Sequence, residues 1–314
     1  MNIFIDESGN FQPQKKLEGD FSPDCVSAVV FTDEAHDKWV ERYGSLKKGR
    51  VFYKSTAKKI FEFLNEIGAK VFLVVVDCNS YSESDIKKHQ ENYIFSIHTG
   101  TSDHPEWLRA GILKHVKYLK EMSPQQYVKT MLIVRLIENV CRGIFAQTSF
   151  FSKEDFFPNK VRCHKVDEKT RSTIKYFVNF AIFASSKKDP VQCDDLSKIP
   201  GFLNTHPSEP GKQYLNIAKF LEDLDFKSDG SCDGKSSDGC VGIKAADCVA
   251  NFTRRMLSNE KMRKNRLDFS DRSYLVDLLG FSCSVEFLHF DMDKPFIDIE
   301  IKDKYAVSVL RDLQ

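Results

Sequence analysis

The amino-acid sequence predicts an α/β fold, a mixed sheet flanked by helices, from two kinds of segment that alternate along the chain. Residues 71–76, VFLVVV, are continuously apolar, which is typical of a strand covered on both faces. Residues 56–67, TAKKIFEFLNEI, carry apolar side chains at helical spacing, and Gly68 ends that segment. Because a strand is predicted at residues 26–32, the order strand, helix, buried strand indicates a parallel crossover.

The first predicted strand, residues 2–5, is followed directly by two carboxylates, Asp6 and Glu7, and then by the turn residues SGN. A carboxylate buried there without partners would be costly. Asp6 therefore has two interpretations. It either bonds its own backbone in a strand-ending turn, or it is the first ligand of a metal site whose other ligands come later.

The middle of the chain, residues 79–151, is predicted to be mainly helical, most clearly at residues 126–145, where apolar side chains form a stripe. A third parallel strand is predicted at residues 161–166 and ends at Asp167. Residues 185–211 contain four prolines and little periodicity, which is typical of a surface insertion.

The last long helix is predicted at residues 242–257, where Asp247, Asn251 and Arg254 share a face beside an apolar one. A basic run follows it, and two further strands are predicted within residues 281–301. We therefore predict one domain over residues 1–257, with a helical insertion at about 79–151 and a loop insertion at about 185–211, and a C-terminal extension, residues 258–314, packed on the same domain.

The composition excludes some classes of protein and leaves others open. The chain has 314 residues, of which 41% are hydrophobic, yet it contains no uninterrupted apolar stretch of roughly 18 to 20 residues that would predict a membrane helix. Asp6 and Glu7 exclude a secretory signal at the start, so we expect a cytoplasmic protein. Its nine cysteines lack paired short spacings, so we expect reduced thiols. A net charge of +1 gives no global indication of a nucleic-acid partner.

Four aspartates stand at positions where a site would need them. Asp6, Asp77 and Asp167 follow predicted strands, and Asp247 lies early in a helix. Sites in α/β sheets form at the carboxyl ends of parallel strands. Carboxylates without thiolate or imidazole partners suit Mg²⁺ or Mn²⁺, and two such ions can activate water and stabilise the leaving oxygen in phosphodiester hydrolysis.

Three segments resemble the domain-of-unknown-function 3800 family, which has a ribonuclease H-like fold: IFIDESGN at the start, VFLVVVD after the first crossover helix, and the late KAADCVANFTRR. The resemblance covers most of residues 1–257. It implies that the first three strands, predicted at residues 2–5, 26–32 and 51–53, pair as a meander and that the Asp77 strand lies parallel beside the first. It also implies that Asp6 and Asp247 are metal ligands, with Asp77 or Asp167 as the third and Glu7 and Glu168 in reserve.

Two positions depart from the family pattern. Phe52 takes the place of an acidic residue shortly before Lys54 and Ser55, and Lys244 stands near the place of a glutamine. The missing carboxylate leaves open a one-metal or weakened site, or a protein without catalysis. Glu62 or Glu66 is an alternative source of the carboxylate.

Two functions follow from this pattern. The first is a Mg²⁺- or Mn²⁺-dependent nuclease or phosphodiesterase that hydrolyses RNA or DNA, with Asp6, Asp77, Asp167 and Asp247 as the candidate catalytic and metal-binding residues. The alternative is a catalytically inactive ribonuclease H-like scaffold that binds nucleic acid or a partner protein. In either case basic side chains would contact phosphates; the candidates are Lys54, Arg254, Arg255, Arg263 and Lys264.

Overall fold

The computed structural model of the protein describes most of the first 147 residues and shorter segments after them. The described residues are 1–14, 23–46, 54–102, 106–147, 160–163, 170, 172–174, 176–178, 203–205, 213–215, 225–227, 240–258 and 283–291. The strands are β1 (Asn2–Ser8), β2 (Pro23–Phe31), β3 (Lys70–Asp77), β4 (Lys160–Cys163), β5 (Leu203–Thr205), β6 (Gln213–Leu215), β7 (Asp225–Lys227) and β8 (Cys283–Phe287). The helices are α1 (Asp33–Tyr43), α2 (Lys54–Glu66), α3 (Glu83–Gly100), α4 (Glu106–Glu121), α5 (Pro124–Phe145) and α6 (Val241–Leu257), with a 3-10 turn at Cys78–Ser80.

The main sheet is mixed and has six strands in the order β7-β4-β1-β2-β3-β8. The strands β1, β2 and β3 pair antiparallel as a meander, whereas β4, β7 and β8 each pair parallel with their inner neighbour. Within the described part of this sheet, every strand except β2 therefore runs in the same direction. Their carboxyl ends meet at one edge together with the start of β2, and we call this edge, at Ser8, Pro23 and Asp77, the carboxyl edge. Strands β5 and β6 form a separate two-stranded sheet.

The predicted α/β class, a mixed sheet flanked by helices, is confirmed. The first three described strands pair as a meander, but the third of them is the Asp77 strand, and the strand expected in that place, residues 51–53, lies outside the described residues. The predicted parallel crossover into β3 is wrong, because β3 pairs antiparallel with β2, with Val30 opposite Lys70. The expectation that β3 lies beside β1 is also wrong, since β2 separates them. The helices α1 and α2 lie between β2 and β3 in the chain. Strand β3 begins at the end of the sheet where β2 finishes, as antiparallel neighbours do.

Strand β1 is longer than predicted, and this changes the position of Asp6. The expected end at Ile5 is wrong, because Asp6, Glu7 and Ser8 continue the ladder opposite Ser27, Val26 and Cys25. Asp6 thus lies inside a strand and takes its orientation from strand alternation.

The other long elements lie close to their predicted positions. The parallel strand predicted at residues 161–166 is β4 beside β1, the stripe at 126–145 is α5, and the last helix is α6. The helices α3, α4 and α5 fill the predicted helical segment. The predicted surface insertion lies almost wholly outside the described residues, where only 203–205 within it is placed, as β5.

The sheet has an apolar core on each face, and the alternation along β1 contributes to both. Ile3 and Ile5 pack with α3, α4 and α5 on one face. Phe4 packs on the opposite face with α1, α2 and α6, around the fully buried Trp39. Asp6 has the same parity as Phe4, so it points toward α6.

Two expectations from composition can be compared with the structure. Six of the described cysteines are free thiols in buried positions, as expected, but Cys240 at the start of α6 is disulfide-bonded. None of the helices in the described ranges is both long and apolar enough to cross a bilayer.

Candidate carboxylate site

Helix α6 lies directly on β1 because its inner face is made of small residues. A Cβ atom on Gly242 would come within 2.4 Å of the Phe4 ring. One turn later the Ser27 hydroxyl donates to the Ala246 carbonyl at 2.8 Å. Near the carboxyl edge the Ser8 hydroxyl donates to Asn251 Oδ1 at 2.9 Å. These contacts fix which residues of the helix face which residues of the strand.

This register places Asp6 opposite Asp247. The helix rises by about 13.5 Å between Gly242 and Asn251, and the strand rises by about 13 Å between their partners Phe4 and Ser8. The two elements therefore run side by side, and Asp6, halfway along this part of β1, faces the middle of the helical segment. Both side chains are buried, with exposed fractions of 1% for Asp6 and 5% for Asp247.

Both carboxylates affect the pKa of the buried thiol of Cys248. Burial raises the pKa of Cys248, and the negative charges of Asp247 and Asp6 raise it further. A charge contributes in this way only when it is close and poorly screened by water. Asp247 directly precedes Cys248 on α6, and Asp6 lies on the face of β1 that packs against this helix, so both charges act on the thiol.

The polar atoms described around the two carboxylates include backbone and side-chain amides. Asp6 Oδ1 accepts the N–H of Glu7 at 3.0 Å, and Asp247 Oδ1 accepts the side-chain amide of Asn251 at 2.7 Å. Among the described residues, no three His, Cys, Asp or Glu side chains are grouped so that they could hold a metal ion. Of the four predicted aspartates, the structure thus brings together Asp6 and Asp247.

Asp77 lies at the carboxyl end of β3, as predicted, but away from this pair. Its Oδ1 accepts the N–H of Asn79 at 3.1 Å and its Oδ2 accepts the Ser80 hydroxyl at 2.8 Å, so it caps the 3-10 turn. Asp6 pairs with Ser27, and Asp77 pairs with Pro23, four residues away on β2. Strand rise and strand spacing therefore put the backbones of Asp6 and Asp77 roughly 16 Å apart. One ion with ligands at about 2.1 Å could not bind both.

Several predicted site residues lie outside the described residues, namely Asp167, Glu168, Arg263, Lys264 and Phe52. The strand that precedes Asp167 is described, and it pairs directly with β1, with Cys163 opposite Ile5. Lys54 is the first residue of α2, and its side chain is not among those described.

Glu7 points to the face of the sheet opposite Asp6, as alternation along β1 predicts. It forms an ion pair with Lys129 of α5 at 2.5 Å, and the exposed fractions of the two side chains are 17% and 28%. Glu7 therefore connects β1 to α5 and does not face α6.

Arg254 extends the polar face of α6 to the carboxyl edge. Its Nε donates to the Pro23 carbonyl at 3.2 Å and lies 3.8 Å from Asp24 Oδ1. Because 40% of the side chain is exposed, the guanidinium is anchored on one side and open to solvent on the other. Arg255, the next residue, is exposed.

Asp24 is a buried carboxylate at the carboxyl edge that the sequence prediction missed. It is fully buried and accepts the N–H groups of Asn10 and Phe11 at 3.1 and 3.0 Å. Burial raises the pKa of Asp24, partly offset by the Cys78 thiol and the charge of Arg254. A Cβ on Gly9, whose φ is +136°, would lie 1.9 Å from Asp24, so glycine is required in this turn.

The sequence prediction also gave no role to Ser8 and Asn251. The spacing of Asn251, four residues after Asp247, indicates that the two side chains can meet on one helix. The partnership with Ser8 has no local signal, because it depends on how α6 lies across the sheet. No protein-family model and no curated protein matches the sequence.

Proposed function

We propose that the protein is a nuclease or phosphodiesterase that hydrolyses RNA or DNA with Mg²⁺ or Mn²⁺. The observation that carries this proposal is the placement of two buried carboxylates, Asp6 and Asp247, opposite each other at the interface of β1 and α6. Two carboxylates buried side by side repel each other unless a proton or a cation compensates them. A bound cation would compensate the two negative charges, which apolar packing cannot do.

The residues present fit a hard divalent cation. Asp6 and Asp247 offer carboxylate oxygens, and the nearby side chains that contact them or their partners, Asn251 and Ser8, offer amide and hydroxyl groups. Mg²⁺ and Mn²⁺ prefer such oxygen ligands. A cation at this position would lower the pKa of bound water and offset charge on a leaving oxygen.

We propose that the third carboxylate comes from Asp167 or Glu168. Both follow β4 in the sequence, and β4 pairs directly with β1, with Cys163 opposite Ile5. Asp77 is not a candidate for this ion, since it lies too far from Asp6 and both of its oxygens cap the turn after β3.

Basic groups at the same edge suit a phosphodiester substrate. The guanidinium of Arg254 is held by Pro23 and Asp24 close to the end of β1, and an anchored guanidinium loses less conformational entropy when it binds phosphate. Arg255 lies beside it, and we propose that the remaining contacts come from Arg263, Lys264 and Lys54.

The proposed family is the domain-of-unknown-function 3800 family with its ribonuclease H-like fold. The antiparallel pairing of β1 with β2 and the helix that carries Asp247 across β1 support it. The α/β architecture is compatible with that fold, and the sheet bears a further strand, β8, at its edge.

The test compares Asp6→Asn and Asp247→Asn with the wild-type protein in Mn²⁺-dependent cleavage of single- and double-stranded RNA and DNA. We expect both variants to keep the fold, as judged by circular dichroism, and to lose cleavage, because an amide cannot replace the charge of a carboxylate. Asp77→Asn is the matched control, which should cleave at the wild-type rate and keep nearly wild-type stability, because asparagine caps a helix about as well as aspartate does. Wild-type cleavage by both site variants would overturn the proposal.

A binding scaffold without catalysis is the second candidate. Two observations favour it. Only two carboxylates meet among the described residues, and Phe52 stands at the place of the family's acidic residue. This function predicts salt-sensitive binding of nucleic acid or a partner protein by the purified wild-type protein without turnover. Hydrolysis that disappears in Asp6→Asn would exclude it.

A further inference from the structure

We propose that Asn251, held in place by Ser8, is a positioning residue that orients the Asp247 carboxylate for cation binding. This inference rests on the proposed function and deepens it, because it explains how the chain sets the geometry of its own site. The three side chains form one hydrogen-bonded series, which we call the Ser8–Asn251–Asp247 clamp.

The clamp consists of two short hydrogen bonds that connect two elements. The Ser8 hydroxyl of β1 donates to Asn251 Oδ1 at 2.9 Å, and Asn251 Nδ2 donates to Asp247 Oδ1 at 2.7 Å. Asn251 and Asp247 are four residues apart on α6, whereas Ser8 lies far away in the sequence. Ser8 and Asp247 are both buried.

Hydrogen-bonding capacity allows one arrangement of these groups. An ionised carboxylate only accepts hydrogen bonds, so the NH₂ group of Asn251 must face Asp247. The amide oxygen of Asn251 then faces Ser8, whose hydroxyl must donate. With Oδ1 of Asp247 held by a charge-assisted bond, rotation of the carboxylate is restricted and the direction of its second oxygen is fixed.

The clamp also sets the distance between the two proposed ligands. Ser8 lies two residues after Asp6 on the same face of β1, so a bond from Ser8 to α6 fixes the register of the helix against the strand. Groups that orient metal ligands typically change metal affinity by about 10- to 100-fold when they are mutated. We expect an effect of about that size from the clamp.

The experiment measures Mn²⁺ affinity directly, by calorimetry and by the electron paramagnetic resonance signal of free Mn²⁺, in the absence of substrate. Asn251→Ala and Ser8→Ala should each bind Mn²⁺ about 10- to 100-fold more weakly than the wild-type protein. Ser8→Thr keeps the hydroxyl and should restore most of the affinity. Cleavage by the Ala variants should recover toward the wild-type rate at saturating Mn²⁺.

Asn139→Ala is the matched control. Asn139 also donates its amide to a carboxylate, that of Glu286, but on β8 at the far side of β3. Its loss should lower stability and leave Mn²⁺ affinity unchanged. If Asn139→Ala weakens Mn²⁺ binding as much as Asn251→Ala does, general destabilisation explains the effect and the positioning role is overturned.

Asp247→Asn separates the failure of this inference from the failure of the proposed function. If Asp247→Asn loses Mn²⁺ binding while Asn251→Ala and Ser8→Ala bind like the wild-type protein, the clamp has no positioning role and the cation site stands. If Asp247→Asn itself binds Mn²⁺ with wild-type affinity, the cation site and the clamp both fall. Ser8→Ala keeps the test decisive should Asn251→Ala fail to fold.

Discussion

His89 lies on α3, and its imidazole is fully buried against α5. Its Nδ1 is 2.8 Å from the Tyr127 hydroxyl, and its ring packs edge-on against Phe290. Burial lowers the pKa of His89 to about 4, and the negative charge of Asp291 opposes this effect only in part. An unfolded chain has no such environment, and a histidine there titrates near about pH 6.5.

The difference in the pKa of His89 predicts that the protein loses stability as the pH falls from about 6.5 toward 4. In that range the unfolded chain binds a proton that the folded protein does not, so the free energy of unfolding decreases. Between about pH 7 and pH 5 the contribution of His89 is about 2 kcal/mol. Urea unfolding at the two pH values measures it.

His89→Gln should show a smaller loss of stability between about pH 7 and pH 5 than the wild-type protein does, because the variant has no imidazole to protonate. His98→Gln is the matched control, since His98 lies exposed on the same helix, and it should keep the wild-type dependence. Equal pH dependence in His89→Gln and the wild-type protein would contradict the prediction.

Single residues differ in how well the sequence predicts their roles. Asp6 could be selected because it follows an apolar run in the sequence, and Asp247 because it lies early in a predicted helix. Asp24 could not, since a proline and a polar loop precede it and its burial results from a turn that folds back over β2. Contacts between distant segments carry no local sequence signal.

Among the elements, α6 and β1 approach each other closely at Gly242, and this contact can be tested by mutation. A Cβ there would meet the Phe4 ring at 2.4 Å, and that ring is itself fixed by stacking on His36 and by an edge contact with Phe31. Gly242→Ala should therefore destabilise the protein by about 1 to 3 kcal/mol in urea unfolding, as overpacked cores do.

Gly111→Ala is the control for the effect of glycine on helix propensity. Gly111 lies in α4 and is exposed, and a Cβ added to it would have nothing within 4 Å. Alanine should stabilise this helix by up to about 1 kcal/mol. A gain of stability in both variants would show that α6 does not press against Phe4.

Local patterns predicted the helices better than the pairing of the strands. Helix α5 begins with a capping box between Ser123 and Gln126 and with Pro124 in its first turn, and these signals lie within the segment itself. The antiparallel pairing of β2 with β3 depends instead on two intervening helices. The apolar run at residues 71–76 indicates a buried strand and leaves its direction open.

Across the whole molecule, a buried ionic network joins the late strand β8 to the helical layer. Arg135 of α5 donates from Nε to both carboxylate oxygens of Glu286 at 2.8 and 2.9 Å, and it pairs with Glu138 at 2.6 Å. Asn139 also donates to Glu286, and Arg142 pairs with Glu138. Glu286 is only 8% exposed, and the network compensates its charge, so β8 can pair with β3 although it carries a buried carboxylate.

Removal of one charge from this network should cost more than removal of a whole ion pair. Arg135→Met leaves the Glu286 charge buried beside Asn139, and the expected loss is about 3 to 5 kcal/mol. The double variant Arg135→Met with Glu286→Leu removes both charges and leaves Glu138 with Arg142, so it should be more stable than Arg135→Met alone. Urea unfolding ranks the variants, and Lys38→Met, which breaks an exposed pair with Glu34, should lose little stability because water screens that pair. If the double variant is less stable than Arg135→Met, Glu286 stabilises β8 even without its arginine. The expected cost of a buried unpaired charge would then be contradicted.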